Sequence, residues 1–124
     1  VAKWLDADPR VSWVSFPGLE TDKYHALAEK YMPNGTCGVI SFGVPGGREK
    51  VSAFLDHLKM VSIATHVADA RSCTLYPAGT THRQLTEEQL EEAGVGIDLV
   101  RLSCGIENTA DIIADLDQAL AAVQ

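Results

Sequence analysis

Val61-Ser-Ile-Ala-Thr-His-Val-Ala-Asp-Ala-Arg-Ser-Cys-Thr-Leu-Tyr76 is the stretch on which the fold turns. Its two ends, Val61 to Ala64 and Cys73 to Tyr76, are short runs that suit strands, and Pro77-Ala-Gly79 closes the second. The link between them, His66 to Ser72, is polar and too short for a helical crossover, so the two strands are expected to pair antiparallel.

Upstream, residues 2 to 7 read as a helix end that Pro9 terminates, because a residue before proline is pushed out of the α region. Val11-Ser-Trp-Val-Ser-Phe16 is rich in β-branched and aromatic residues and reads as a strand closed by Pro17-Gly18. Asp22 is placed to cap a helix on which Tyr24, Leu27, Ala28 and Tyr31 recur at helical spacing, and Pro33-Asn-Gly35 stops it. A strand at Cys37 to Phe42 and the turn Gly43-Val-Pro-Gly-Gly47 lead into a helix with Val51, Phe54, Leu55 and Leu58 on one face.

Downstream, Thr86-Glu-Glu-Gln89 has the capping-box pattern and opens a short acidic helix that ends at Gly94. Ile97-Asp-Leu-Val-Arg-Leu-Ser103 reads as the last strand. Asn108 or Thr109 then caps a helix whose Ile112, Ile113, Leu116, Leu120 and Val123 share a face. Helices with a single apolar face belong on one side of a sheet. The expectation is an α+β fold, a two-layer sandwich with a mainly antiparallel sheet of four to five strands and helices on one face.

The 124 residues, 46% hydrophobic and 22% charged, suffice for one core, and no repeat or linker divides them, so a single domain over residues 1–124 is expected. The net charge of -7 is spread along the chain, which argues against nucleic acid and anionic membrane as partners. No apolar run approaches the roughly 20 residues of a membrane span, and no charged-then-apolar leader opens the chain. Cys37, Cys73 and Cys104 have no paired spacing, read as small buried hydrophobes, and suit a reducing cytoplasm. The start at Val1, in what reads as mid-helix, is expected to mark a piece of a longer protein.

Few residues carry chemistry on their own. Arg101 stands inside an otherwise apolar strand, where a charge is costly without a partner. Its planar fork suits an amino-acid carboxylate, and the alternative is an edge arginine facing water. His25, His57, His66 and His82 have no metal-ligand spacing with one another or with the cysteines, so no metal site is expected. His25 and His57 read as helix-surface residues, whereas His66 and His82 fall in loops beside the sheet. The glycines at 43–47 lack the lysine and hydroxyl residue of a phosphate loop and read as a turn into a helix.

Three stretches together resemble the cystathionine and methionine metabolism family of pyridoxal-phosphate enzymes. They are Tyr24-His-Ala-Leu-Ala28, the run from Asp69-Ala-Arg-Ser72 to Pro77-Ala-Gly-Thr-Thr-His82, and Val100-Arg-Leu-Ser-Cys-Gly-Ile-Glu107 followed by Asp111-Ile-Ile-Ala-Asp-Leu116. Their order and spacing match as well. Phe42-Gly-Val-Pro-Gly-Gly-Arg48 and the Asp69-Ala-Arg-Ser72 form are similar to the O-acetylhomoserine sulfhydrylase branch, whose reaction eliminates acetate from the γ carbon of the substrate and adds sulfide to give homocysteine, a step of methionine biosynthesis and transsulfuration.

The resemblance implies a C-terminal domain whose large, cofactor-binding domain is absent from this chain, in a parent that is a homo-oligomer, a tetramer, working in the cytoplasm. It implies pyridoxal 5'-phosphate as cofactor, with the electron sink supplied by its ring. None of Lys3, Lys23, Lys30, Lys50 and Lys59 sits after the Ser-x-Thr motif that precedes the family's catalytic lysine, so the chain alone is expected to be inactive. The resemblance gives Arg101 the substrate carboxylate, brings His66 to the same group from a position where relatives carry asparagine or serine, and puts Thr81 near the site. Ala68 stands where glycine is usual and Tyr76 where histidine is usual. Other reactions of the family, cystathionine lyase, cystathionine synthase or methionine γ-lyase, remain open, and so does a stand-alone binding or assembly module.

Overall fold

A computed structural model describes residues 1–123. In chain order the elements are α1 (Ala2–Ala7), β1 (Val14–Ser15), α2 (His25–Tyr31), β2 (Val39–Gly43), α3 (Gly47–His57), β3 (Ser62–Ile63) and β4 (Cys73–Leu75). A 3-10 turn (Pro77–Gly79), α4 (Glu87–Glu92), β5 (Leu99–Ser103) and α5 (Thr109–Ala121) complete the chain. The five strands form one sheet in the order β1-β2-β5-β4-β3.

The fold is α+β, as expected, but the sheet is mixed. β1 with β2, β2 with β5 and β4 with β5 are antiparallel, whereas β3 with β4 is parallel, with Ser62 opposite Cys73 and Ile63 opposite Thr74. The pair whose short link pointed to antiparallel pairing is thus the parallel one. Residues 64–72 suffice as a crossover because the link passes across the end of β5 and finds hydrogen-bond partners there, so it needs no helix of its own to satisfy its backbone.

Residues opposite one another across an antiparallel ladder share a face. Ile40 faces Leu102 and Phe42 faces Val100. All four are buried in a cluster with Val51 and Phe54 of α3 and Ile112, Leu116 and Leu120 of α5. Phe42 and Phe54 meet edge to face, with centroids 6.0 Å apart and planes at 89°, a geometry worth about 1 kcal/mol beyond the area it buries. Ser41, Arg101, Leu75 and, one row on, Val39, Ser103 and Cys73 occupy the opposite face, away from the core helices.

The caps form much as the sequence predicts. The Thr86 hydroxyl accepts from the Gln89 amide and the Gln89 side chain accepts from the Thr86 amide. Asn108, not Thr109, caps α5 by accepting from Ala110. The glycine turn enters α3 with Gly46 and Gly47 both at positive φ, which relieves it of any side-chain strain.

Four expectations need correction. The strand at Val11 to Phe16 shrinks to Val14–Ser15, because the Ser12 amide donates to the Gly43 carbonyl while the Trp13 carbonyl accepts from the Gly43 amide, so two residues oppose one and the regular ladder stops there. Asp22 does not cap α2. Its carboxylate accepts from the amides of Phe16 and Tyr24, bracing the turn that precedes the helix. The stripe on α2 is exposed, Tyr24 at 52%, Leu27 at 51% and Tyr31 at 69%, with Ala28 alone buried. The core draws its helical residues from α1, α3, α4 and α5, so α2 meets no apolar face to cover. Of the cysteines only Cys73 is buried, since Cys37 precedes β2 and Cys104 follows β5.

Candidate functional site

The open face of β5 carries Arg101 and Ser103, two residues apart and therefore on the same side of the strand. Both reach into the link at 64–72. Arg101 donates through Nη2 to the carbonyls of Thr65, at 2.9 Å, and His66, at 3.2 Å. The Ser103 hydroxyl accepts from the amide of Ala68 at 3.1 Å.

Ala68 has φ of 57°, the left-handed conformation that favours glycine. That turn brings the 65 and 66 carbonyls to the guanidinium and the 68 amide to Ser103. Glycine enters that conformation freely, so the alanine holds it against its own side chain.

The rest of the link is fastened along its length. Asp69 Oδ1 accepts from the amide of Arg71, a local turn that asparagine and aspartate side chains favour. The Asp69 carboxyl is held below its ordinary range by that bond first and by the His66 ring second. Ala70 accepts from Ile106, and the Cys73 thiol donates to the carbonyl of His66. Ser72 donates to Glu107 twice, from its amide at 2.7 Å and from its hydroxyl at 2.8 Å, while the same hydroxyl accepts from the Gly105 amide. A Cβ on Gly105 would stand 2.4 Å from the Ala70 oxygen, so the close approach of link and strand exit requires glycine.

Arg101 is half-exposed, and among the described residues no carboxylate forms an ion pair with it. Its Nε is buried without a hydrogen-bond partner. One nitrogen of the fork is therefore held by carbonyls, and Nη1, which makes no described hydrogen bond and is not buried, is the donor that an acceptor from outside the chain can reach. A charged donor left open on a guanidinium already fixed at one end is placed to pair with a carboxylate.

The other two candidate site residues are placed differently. His66 turns its ring to Asp69, at 3.4 Å, with the side chain 64% exposed, and its contact with Arg101 runs through the backbone. Thr81 lies in the turn after the 3-10 segment, exposed, with its hydroxyl 2.8 Å from His82 Nδ1. No described hydrogen bond joins Thr81 to Arg101 or His66. Sequence reasoning missed Ser103, Ser72 and Glu107. The two-residue spacing of Arg101 and Ser103 along a strand was the available signal for the first, and no signal short of the fold joins Ser72 to Glu107.

The lysines lie away from this site. Lys50 donates to the Val123 carbonyl, Lys23 and Lys30 lie over the rings of Tyr24 and Tyr31, and Lys3 and Lys59 are exposed on or beside helices. None belongs to the sheet or to the 64–72 link. Among the described residues no group of histidine, cysteine and carboxylate side chains could hold a metal, and no helix is long and apolar enough to cross a membrane.

Residues 1–121 match the family described as Cys/Met metabolism PLP-dependent enzyme. The chain is 48% identical over 120 residues to "Homocysteine synthase" of Schizosaccharomyces pombe, covering 97% of this chain and 28% of that protein. It is 45% identical over 121 residues to "O-acetyl-L-homoserine sulfhydrylase" of Leptospira meyeri, covering 97% of this chain and 27% of that protein. A crystal structure of a Campylobacter jejuni protein described as an O-acetylhomoserine (thiol)-lyase, which carries a pyridoxyl-lysine phosphate, superposes with a TM-score of 0.89 at 36% identity. That superposition covers 97% of this chain and 28% of the other. The chain therefore spans little more than a quarter of the length of these relatives, and it belongs to the Cys/Met metabolism family of PLP-dependent enzymes.

Proposed function

We infer that this chain is the C-terminal domain of a PLP-dependent sulfhydrylase and that it binds the α-carboxylate of the amino-acid substrate through Arg101. The parent reaction would join O-acetylhomoserine and sulfide to give homocysteine and acetate, a reading supported by the names of the relatives in Schizosaccharomyces pombe and Leptospira meyeri. The cofactor supplies the electron sink, and the lysine that holds it would come from a large domain outside this chain. In the same reading the parent is a homo-oligomer, a tetramer, working in the cytoplasm, where free cysteines such as the three here would stay reduced.

The observation that carries the reading is the Nη1 of Arg101, which makes no described hydrogen bond and is not buried, beside an Nη2 already fixed by two carbonyls. A guanidinium held in this way presents charge and direction together, and the pairing of a planar fork with a carboxylate is charge-assisted at both prongs. Binding there orients the substrate before the chemistry begins, which lowers the entropic part of the barrier.

The test is kinetic, in the full-length enzyme with O-acetyl-L-homoserine and sulfide. Arg101→Ala is expected to depress kcat/KM for the amino acid while the cofactor absorbance stays normal, since the arginine is assigned to the substrate alone. A kcat/KM within about threefold of the parent, a difference under ~0.7 kcal/mol, would remove the assignment.

A further inference from the structure

We propose that Ser103 and Glu107 are positioning residues that hold the 64–72 link against β5 and thereby fix which donors of Arg101 are free for substrate. The proposal rests on the carboxylate-binding reading of Arg101 and adds to it the device that aims the guanidinium.

A guanidinium on a strand has several rotamers within reach, and an unrestrained one spends its time paired with water. Here the Thr65 and His66 carbonyls hold Nη2, so the orientation of the fork is only as definite as the position of those two carbonyls. They belong to a link with no regular secondary structure between Ile63 and Cys73. Its position is set by attachments that come from β5 and the residues just after it. Ser103 takes the Ala68 amide in the middle of the link. Glu107 takes the Ser72 amide and hydroxyl at its end, and Ser72 in turn receives the Gly105 amide. Arg101, Ser103, Gly105 and Glu107 thus alternate along one continuous segment, and every one of them touches the link.

Burial separates this arrangement from a casual surface contact. Ser103 is 1% exposed and Ser72 is fully buried, so neither hydroxyl has water as a substitute partner. Ala68 adopts a left-handed backbone that an L residue enters only under constraint, and its amide is the one that Ser103 holds. Loss of the Ser103 hydroxyl leaves that amide without an acceptor and gives the link a reason to relax toward an unstrained conformation. The carbonyls at 65 and 66 would then move off the guanidinium.

The test uses the full-length holoenzyme and two readouts, amide hydrogen exchange over residues 64–72 and kcat/KM for O-acetyl-L-homoserine. Ser103→Ala and Glu107→Ala are each expected to speed exchange in the link by about tenfold, the change produced by a stability loss of ~1.4 kcal/mol. Both are expected to raise KM for the amino acid several-fold with a smaller change in kcat, because the clamp is assembled before chemistry. In an Arg101→Ala background the same two substitutions should leave kcat/KM unchanged, since nothing remains to be aimed.

Exchange unchanged in both single variants would overturn the proposal, because the link would not depend on them. Faster exchange with an unaltered kcat/KM, alongside a damaged Arg101→Ala enzyme, would overturn it while leaving the carboxylate reading intact. An additive loss in the Arg101→Ala background would show that the two residues act elsewhere and overturn it too. A silent Arg101→Ala would remove the carboxylate reading itself, and the positioning role with it.

Discussion

The carboxylate of Glu107 accepts from both the backbone amide and the hydroxyl of Ser72, at 2.7 and 2.8 Å, across thirty-five positions of sequence. This pair of hydrogen bonds joins the exit of β5 to the entry of β4 and converts two stretches of motif-like sequence into one brace. Hydrogen bonds to a charged acceptor are stronger than neutral ones, so the brace depends on Glu107 being ionised.

That dependence sets a pH response. The Ser72 amide, first among the causes, holds the Glu107 carboxyl below its ordinary range. For Asp115, burial pushes the carboxyl up, but the amides of Val61, Lys59 and Met60 and the Gln118 side chain outweigh burial and hold it down as well. A carboxyl lowered in the folded state contributes stability that is complete above its unfolded value, about 4, and is lost as pH falls through the lower folded value. Urea midpoints are expected to be flat near neutrality and to fall below about pH 4. The fall should be shallower in Glu107→Gln and Asp115→Asn, whose neutral side chains no longer titrate. An acid limb of identical steepness in both variants would contradict the assignment.

Asp115 itself is the larger structural lever. Its two oxygens accept from the amides of Lys59, Met60 and Val61 at 2.8 to 2.9 Å, capping the passage from α3 into β3 from the middle of α5. Asp115→Ala leaves those amides without acceptors in a buried place, at a cost of about 2 to 4 kcal/mol. Asp115→Asn keeps one good acceptor and should cost less. Chemical denaturation with an unchanged m-value would measure both.

Ala68→Gly is expected to stabilise the protein. The left-handed backbone at φ of 57° strains an alanine by about 1 to 2 kcal/mol, and glycine gives back part of that through its greater unfolded-state entropy, so a net gain of about 0.5 to 1 kcal/mol remains. A lower thermal midpoint in this variant would mean that Ala68 is not held in that conformation in solution.

Under the role proposed for Arg101, Arg101→Lys keeps the charge and loses the planar fork. Lysine presents a single ammonium that cannot reproduce the two-carbonyl hold and a side-on pairing together. The expected loss in kcat/KM is roughly 2 to 4 kcal/mol, with Arg101→Ala losing more. Equal activity of the lysine variant and the parent would mean that charge alone suffices at this position.

Tyr76 is fixed by its surroundings. It is 3% exposed, and its hydroxyl donates to the Ile97 carbonyl at 2.8 Å, tying the end of β4 to the entry of β5. Burial pushes the phenol above its ordinary range. Tyr76→Phe should cost about 1 kcal/mol by losing that bond, and Tyr76→His more, because a smaller polar ring leaves a cavity. Thermal melts of the two variants, compared with the parent, would rank them.

Local chemistry alone determined a good deal here. The capping box at Thr86, a cap at Asn108 or Thr109, the glycine entry into α3 and the apolar faces of α3 and α5 follow from side chains and backbones within a few residues of one another, and all were legible in sequence. Arg101 was legible as well, since a charge inside an apolar strand asks for a partner wherever the strand lies. The backbone carbonyls that hold it, and the brace between Ser72 and Glu107, were not. Thr65, His66, Ser72 and Glu107 come together only because the 64–72 link crosses the end of β5, and that crossing makes β3 parallel to β4 against the expectation drawn from its length. The exposure of Tyr24, Leu27 and Tyr31 on α2 was hidden for the same reason. A helical period reports that a face is apolar, and only the packing of the whole chain decides whether anything within it remains to cover that face.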